Sequence, residues 1–373
     1  MQVKINSQSL YAPLRYEATR PFAAQLGKRF IAASRQGERQ RQAFVFGELL
    51  GLVRKEVERH PVDGPGPTQS EMVTVQAFAE FQAQGKIIFD VAKPLATNLL
   101  LTDAEAIPCS ELIFPAPCFY LHFGTECGLT DEGFDIEGAF VTKFNDRLAI
   151  DLVRHGFGQA RYFELPMGEL LVGVSIDVTD GSKPILQALD DSITAILDQN
   201  AKSFAAIADQ EAKLAEQYGE IITVPAAMER LDGKRNILRK ALGLIVNTLF
   251  YLMAEPEDVA EDWGRDTPTD AVNALALAAK HNTKKTIKNT LLKAGYVKVR
   301  YVGNQFAESV SARAVDHAIG AGKSLATHIR RGHFRRQAYG QQLALRKTIF
   351  VAPVVVNADK GEPVHGRIYD VQP

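Results

Sequence analysis

The sequence predicts an α+β protein with a helical N-terminal part, a central antiparallel strand meander, further helical segments and a C-terminal arginine-rich β-hairpin. Three observations support this class. Apolar residues recur at helical spacing in the first hundred residues, short aromatic and β-branched segments alternate with turn residues between 113 and 177, and an arginine-rich strand pair ends the chain. Since helices and strands occur in blocks and do not alternate, separate helical and strand regions are favoured over βαβ units.

Residues 1–101 are predicted to form the helical N-terminal part. Leu26, Phe30 and Ile31 recur at helical spacing. A loop rich in proline and glycine, residues 60–69, precedes two further helical segments at 70–83 and 84–101.

Residues 102–180 are predicted to form the antiparallel sheet. Segments 113–123, 134–144, 148–155 and 162–177 are short and apolar, and Gly, Asn and Asp turns separate them. Such spacing favours a meander.

Residues 181–295 are predicted to be helical, mainly over 184–218, 224–254 and 268–294. Residues 296–373 form the predicted basic C-terminal β region. It begins with a short strand and ends in two strands over 327–340 and 345–356. We expect this region to form one compact unit with residues 102–295.

The charges are balanced overall but unevenly distributed. The chain has 43 basic and 44 acidic residues, whereas His281 to Phe350 contains 14 Lys/Arg and 2 Asp/Glu, a net of +12. This asymmetry indicates a surface for a polyanion. Arginine side chains interleaved with aromatic rings suit phosphates and bases. The predicted nucleic-acid-binding residues are Arg330, Arg331, His333, Phe334, Arg335, Arg336, Tyr339, Arg346 and Lys347.

Acidic residues are concentrated at 101–137 and 255–270, and apolar side chains adjoin both blocks. An apolar floor with an acidic rim favours a short basic amphipathic peptide. The alternative interpretation is that both apolar runs are buried core followed by exposed loops. The predicted peptide-binding residues are Phe114, Phe119, Tyr120, Phe250, Tyr251, Met253, Glu255, Glu257 and Asp258.

The sequence contains no persuasive catalytic or metal-binding pattern. His328 and His333 stand five residues apart on a predicted strand, so they point to opposite faces and pair poorly as acid and base. The three cysteines, Cys109, Cys118 and Cys127, lack the C-x-x-C spacing of a zinc site. We therefore predict no catalytic residue, no metal and no cofactor.

The composition is that of a cytoplasmic protein. The N-terminus lacks the apolar stretch of a signal peptide. Residues 241–254, the most apolar long stretch, are too few to span a bilayer. We expect no membrane partner, and the oligomeric state stays open.

Five short stretches together resemble a known family. His328 to Phe334 reads H-I-R-R-G-H-F and is followed by Tyr339-Gly340 and by Phe350 to Val354. This series resembles the end of the type V-A anti-CRISPR family, whose motif reads H-I-R-R-G-H-W. Leu249 to Asp258 resembles the family's apolar run ending in A-E-P-D, and Phe114 to Tyr120 resembles its proline-led aromatic strand. Phenylalanine in place of tryptophan keeps the stacking surface and loses an indole N–H donor.

The resemblance implies a function that composition does not give. Members of the family lower production of the type V-A CRISPR effector nuclease by recognising a segment of its polypeptide, including during translation, and the messenger RNA is then lost. It implies a protein of plasmids or phages, longer than its relatives, that binds a target polypeptide with RNA or ribosome contact and is not an enzyme. Two alternatives remain open: a metal-independent ribonuclease that uses the C-terminal His/Arg strand, and a plasmid-borne nucleic-acid-binding regulator.

Overall fold

The computed structural model describes most of the chain. The described residues are 3–4, 6, 8–19, 25–37, 39–40, 44, 47, 51, 69–104, 107–131, 134–144, 147–155, 173–218, 224–316, 328–330, 332–352 and 354–356. The predicted loop 60–68, Arg331 and the predicted strand residues 162–172 lie outside them.

The described helices and strands confirm the α+β class. The α-helices are α1 (Ala12–Thr19), α2 (Leu26–Arg35), α3 (Gln69–Ala83), α4 (Lys93–Leu100), α5 (Ile185–Tyr218), α6 (Val224–Ala254), α7 (Thr269–Leu277), α8 (His281–Lys293) and α9 (Asn304–Asp316). The strands are β1 (Ile88–Val91), β2 (Cys118–His122), β3 (Thr130–Asp131), β4 (Phe134–Phe144), β5 (Arg147–Arg154), β6 (Gly173–Asp177), β7 (Val259–Trp263), β8 (Lys298–Val302), β9 (His328–Arg330), β10 (His333–Tyr339), β11 (Leu345–Val351) and β12 (Val354–Val356). Short 3-10 helices occupy Cys109–Glu111, Thr125–Cys127, Pro256–Asp258 and Gln341–Leu343.

One mixed sheet forms the centre of the fold. Its strand order is β6-β5-β4-β2-β1-β8-β7, with β3 beside β4. Strands β2, β4, β5 and β6 pair antiparallel, as the predicted meander requires. Strand β1 runs parallel to both β2 and β8, and this parallel centre was not predicted.

The prediction of a helix over 84–101 is therefore wrong in its first half. Residues 88–91 form β1, and the helix begins only at Lys93, with Pro94 in its first turn. All four residues of β1 are buried, so the strand lacks the alternation of polar and apolar residues that marks a half-exposed strand. Strand β7 was missed for the opposite reason, because its charged residues resemble a loop.

Each face of the sheet carries its own apolar core. Side chains from α4, α5 and α6 cover one face, where they pack on Phe119 and Leu121 of β2. Side chains from α1, α2 and α3 cover the other face, where they meet Cys118 and Tyr120. A smaller core joins β7, α7 and α8. The alternation within β2 places neighbouring residues in different cores.

The C-terminal half of α6 is long and apolar enough to cross a membrane by length and composition, over Lys234–Ala254. Its side chains at Leu242, Ile245, Leu249 and Phe250 are buried in the first core. This burial is typical of the core helix of a globular domain.

The close packing of α4 on the end of β8 requires a glycine. Gly303 has φ +84°, and a Cβ atom there would lie 2.4 Å from Cδ2 of Leu95. Any L-residue would therefore meet both backbone strain and a steric clash. Gly303 lets β8 turn directly into α9 above the first core.

The C-terminal arginine-rich region forms a hairpin, with one change from the prediction. Strands β10 and β11 pair antiparallel from His333↔Val351 to Tyr339↔Leu345. The stretch predicted as a single strand over 327–340 divides into β9 and β10, and β9 pairs with β12 as a separate ribbon. The hairpin is a sheet of its own beside the central sheet.

An aromatic cluster docks this hairpin on the end of α6. The Phe334 ring centroid lies 5.6 Å from that of Phe250 and 5.2 Å from that of Phe350. Tyr251 meets Phe350 edge-on at 5.2 Å, and Phe306 of α9 completes the cluster. Phe334 is only 4% exposed. Rings in such contacts stabilise beyond the area they bury.

Polar contacts also hold the same inner face of the hairpin to residues 103–111. One carboxylate oxygen of Glu111 accepts from Arg336 Nε at 2.7 Å, and the other accepts from Thr348 Oγ1 at 2.7 Å. Arg336 and Thr348 are opposite each other in the ladder, so one carboxylate joins both strands. The Phe334 N–H also donates to the Asp103 carbonyl at 3.0 Å.

We expect Phe334→Ala to lower the free energy of unfolding by about 3–5 kcal/mol, because it leaves a cavity between the buried Phe250 ring and the half-buried Phe350 ring. Denaturant unfolding measures this loss, and hydrogen exchange of β10 and β11 reports whether the hairpin loosens first. Phe334→Trp, the residue that the family motif carries, serves as the matched variant and should retain most of the stability. An unfolding midpoint unchanged by Phe334→Ala contradicts the docking role.

Candidate functional site

The register of the hairpin gives it two chemically different faces. Residues opposite each other in an antiparallel ladder project to the same side. Phe334, Arg336, Phe350 and Thr348 therefore share the inner face, which packs on the domain. The outer face carries a second set: Arg335, Gln337, Tyr339, Leu345, Lys347 and Ile349.

The outer face combines cations with an accessible aromatic ring. Arg335 and Lys347 are exposed, and Tyr339 is 42% exposed. The Lys347 ammonium lies 5.9 Å from the centre of the Tyr339 ring. Arg335 Nη2 donates to Gln337 Oε1 at 2.5 Å, which holds the guanidinium on this face. The outer face thus carries two exposed cations and one accessible aromatic ring in successive rungs of the ladder.

The tip of the hairpin is apolar as well as basic. Leu343 is 60% exposed and Leu345 is 54% exposed. Exposed Arg346 lies beside them on the inner side of the ladder, and its Nη1 donates to the Leu343 carbonyl at 2.5 Å.

The structure separates the predicted nucleic-acid-binding residues into groups. Arg335, Tyr339, Arg346 and Lys347 are exposed at the hairpin. Arg336 is exposed too but is ion-paired with Glu111. The other predicted residues are less available or fall outside the description: His333 is half-buried, Phe334 is buried, the Arg330 side chain is outside the described part and Arg331 is wholly outside it. Of the two predicted aromatic residues, Phe334 packs in the core and Tyr339 keeps an accessible ring.

Most of the apolar residues predicted to line a peptide groove are buried in the structure. Phe119, Tyr120, Phe250 and Tyr251 are at most 2% exposed. These four rings therefore pack in the core, as the alternative interpretation of the sequence predicts. They leave no accessible surface for a peptide. Phe114 and Met253 are half-buried. The Lys143 ammonium lies 5.3 Å from the Phe114 ring centre.

Asp258 is a helix cap and not a rim charge. Its carboxylate accepts from the backbone N–H groups of Gln305 at 2.8 Å and Phe306 at 3.1 Å, in the first turn of α9. It also accepts from the Tyr251 hydroxyl at 2.7 Å. A carboxylate at this position satisfies orphan donors and matches the helix dipole. Its partners are 47 and 48 residues away, so the sequence carried no local sign of the role.

Glu255 and Glu257 remain as the acidic rim, and the rim adjoins the hairpin. Burial raises the pKa of Glu255, the Glu257 and Asp258 carboxylates raise it further, and Lys347 of β11 lowers it. Tyr251, four residues before Glu255, packs on Phe350 of β11, so the acidic rim follows the helix end on which the hairpin docks.

A buried polar row at the ends of the parallel strands was missed by the sequence analysis. Asp90 of β1 lies beside His122 of β2 and Tyr301 of β8, on one face of the sheet. The Tyr11 hydroxyl from the N-terminal segment donates to Asp90 at 2.9 Å. Arg265 covers the row, with Nε 3.6 Å from the Asp90 carboxylate. Carboxyl ends of parallel strands are frequent ligand sites in α/β sheets.

The polar residues of this row and their neighbours hold the N-terminal helix on the sheet. Burial, and after it the charges of Arg15, Arg265 and His155, lower the pKa of His122 to about 3, so its imidazole is neutral. Its Nδ1 lacks a hydrogen-bond partner among the described residues. The Glu137 carboxylate ion-pairs with Arg15 of α1 and contacts His155 Nδ1 at 2.9 Å. These bonds fasten α1 over the sheet.

Metal ligation has no candidate in the part of the chain that the structure describes, where no three His, Cys, Asp or Glu side chains gather suitably. Cys109, Cys118 and Cys127 are buried free thiols, and burial raises the pKa of each.

Comparison with known proteins agrees with the resemblance of the C-terminal motif. The model of the anti-CRISPR type V subtype A2 family matches residues 89–358. Among solved structures, the crystal structure of AcrVA2 is similar, with 14% sequence identity, a TM-score of 0.43, and coverage of 94% of this chain and 100% of that chain. No curated protein sequence matches the chain. The family match takes in the central sheet, α6, the acidic rim and the docked hairpin, and the chain belongs to the anti-CRISPR type V subtype A2 family.

Proposed function

We propose that this protein is a non-catalytic cytoplasmic inhibitor that binds a basic segment of a type V-A effector polypeptide and contacts RNA through the outer face of the β10–β11 hairpin. Its target is engaged during synthesis at the ribosome, and expression of that target falls. The observation that carries the proposal is the docking of the basic hairpin on the end of α6, where Tyr251 packs on Phe350 of β11 and the acidic rim begins four residues later at Glu255.

The RNA contact is supported by the composition of the outer face. On this face Arg335 and Lys347 lie on the two successive rungs before the end rung that carries Tyr339, and cations beside an accessible aromatic ring suit a single strand without base selection. A contact without sequence preference suits a protein that must act on whichever message is being translated. On the inner face Phe334 and Arg336 do not share this role, because they are committed to packing and to Glu111.

The peptide contact is supported by the charge of the rim. Glu255 is half-buried and Glu257 is exposed beside half-buried Met253. A carboxylate in a partly desolvated position attracts a cation more strongly than one in open water. Nucleic-acid-binding effectors are rich in basic segments, so their nascent chains offer such cations.

We expect the double variant Arg335→Gln, Lys347→Gln to bind single-stranded RNA more weakly and to lower the slope of log K against log salt by about 1.4, since each phosphate contact contributes about 0.7. Tyr339→Ala should weaken binding by about 1–3 kcal/mol through lost stacking, whereas Tyr339→Phe should retain it. Fluorescence anisotropy over a salt series measures both effects.

The matched control for charge is Lys202→Gln with Lys240→Gln, two exposed lysines on α5 and α6. It removes the same net charge away from the hairpin. Equal slopes for the hairpin variant and this control would show that the outer face is only a solvated basic surface.

If the protein recognises the effector polypeptide and not its messenger RNA, a second prediction follows. In cells, suppression of an effector–reporter fusion should survive synonymous recoding of the effector segment and disappear after a compensated frameshift, which keeps most of the nucleotides and changes the peptide. Glu255→Lys with Glu257→Lys should weaken suppression of the intact fusion, because the rim would then repel a basic segment. Reporter protein and message level are both measured.

Charge reversal at exposed Asp198 and Glu126 provides the matched control for the acidic variant. Suppression that persists through the frameshift would place recognition in the RNA sequence and favour the nucleic-acid-binding regulator. Message cleavage by the purified protein alone would favour the ribonuclease.

A further inference from the structure

Helix α8 has three faces of different chemistry. Ile287 and Leu291 face inward, against the small core that contains Trp263 and Ala271. Thr286 and Asn289, on another side, are polar and uncharged. The third face gathers basic side chains at helical spacing, and these are His281, Lys284, Lys285 and Lys288. Positions i, i+3, i+4 and i+7 fall on one side of a helix. We call these four residues the lysine stripe.

The lysine stripe has no acidic residues in its neighbourhood along the chain. No Asp or Glu occurs between Ala271 and Ala307, whereas that span holds seven Lys and Arg residues. Lys298 and Arg300 pair with Glu261 of β7. The three lysines of the stripe are exposed and have no ion-pair partner in the described part of the chain.

This arrangement opposes the stability of the helix itself. Lys284 and Lys288 stand four residues apart, and like charges at that spacing repel. Lys284 and Lys285 also lie near the helix N-terminus, where the dipole disfavours cations. An ordinary solvated helix face mixes both signs of charge, and α8 does not. A polyanion that neutralises the stripe removes the repulsion.

We propose that the lysine stripe is a second nucleic-acid surface, which binds the phosphate backbone. The ligand class follows from the side chains, since lysine ammonium groups on flexible stems act as point charges for phosphates and read no base. Lys284 and Lys288 lie one turn apart on one side of α8, a spacing of about 6 Å along the axis. Successive phosphates of one strand are spaced on the same scale.

The burial of the apolar side of α8 favours nucleic acid over a lipid surface. A helix that binds a membrane inserts its apolar face between headgroups. Here Leu291 is fully buried and Ile287 packs against the same core, so the apolar face is already occupied. Leu292, 46% exposed, is left as a single apolar side chain beside the lysines, which is too little to insert into a bilayer.

This inference extends the RNA contact of the proposed function to a different element, and it stands on charge and geometry at α8 alone. Two surfaces on one protein would hold RNA more tightly than either surface by itself, provided that one strand can reach both.

The test measures binding of a short oligo(U) RNA by the full chain over a salt series. The variant Lys284→Gln, Lys285→Gln, Lys288→Gln should lower the slope of log K against log salt by about 2, and Lys→Arg at the same positions should restore it. The same lysine substitutions are then made in the background of Arg335→Gln, Lys347→Gln. A loss of slope in both backgrounds supports the stripe as an independent surface. Circular dichroism confirms that each variant is folded.

The other outcomes separate the two proposals. If the lysine variant keeps the wild-type slope in both backgrounds, the stripe is overturned, whether or not the hairpin binds. If only the lysine variant loses slope, the stripe is supported and the hairpin proposal fails. Duplex DNA and vesicles containing phosphatidylserine are the comparison probes. Lysine-dependent binding to vesicles without binding to either nucleic acid overturns the ligand class.

Discussion

The docking of Phe334 between Phe250 and Phe350 is the contact on which the candidate site depends. A two-stranded hairpin by itself is marginally stable in water. The aromatic cluster and the Glu111 carboxylate supply what it lacks, and both act on its inner face. Because one face of the hairpin must be buried to hold it, only alternate side chains stay free for a ligand. The packing of the inner face on the domain therefore determines which basic residues of the hairpin are exposed to a ligand.

Parts of this arrangement were accessible from the sequence. The arginine-rich strands were predicted, and the alternation of Phe334 with Arg335 already implies opposite faces. The helices over 184–218 and 224–254 and the antiparallel meander were also predicted close to their observed bounds. These elements have long periodic patterns or repeated short ones, and such patterns can be recognised in a single sequence without knowledge of tertiary contacts.

The rest depended on contacts between distant residues. Nothing local tells that Asp258 caps α9, or that Glu111 bonds both strands of a hairpin more than two hundred residues later. Strand β1 is buried on both faces and carries no alternation. The burial of Phe250 and Tyr251 likewise needed a partner surface, since the same apolar run suits a groove or a core. The charge pattern predicted which region would face a polyanion. Only the packing in the structure shows which side chains of that region are exposed.

The charge asymmetry of the chain thus has a structural expression. Basic side chains occupy the outer face of the hairpin and one side of α8, while Glu255 and Glu257 follow the end of α6 on which the hairpin docks. In the proposed function, this arrangement lets a basic peptide and a nucleic acid approach neighbouring surfaces without competing for the same side chains. The polar row under α1 has a separate role, because its bonds from Tyr11 and Arg15 fasten the N-terminal segment over the sheet.

The most direct test of the hairpin account is ultraviolet crosslinking of single-stranded RNA to the full chain, followed by mass spectrometry of the crosslinked peptides. Photocrosslinking reports the side chains that touch bases, and aromatic residues in stacking contact react efficiently. The account predicts crosslinks on the peptide that contains Tyr339, lost in Tyr339→Ala, with none at Phe334. Crosslinks at Phe334, or no crosslink anywhere on β10 and β11, would contradict it.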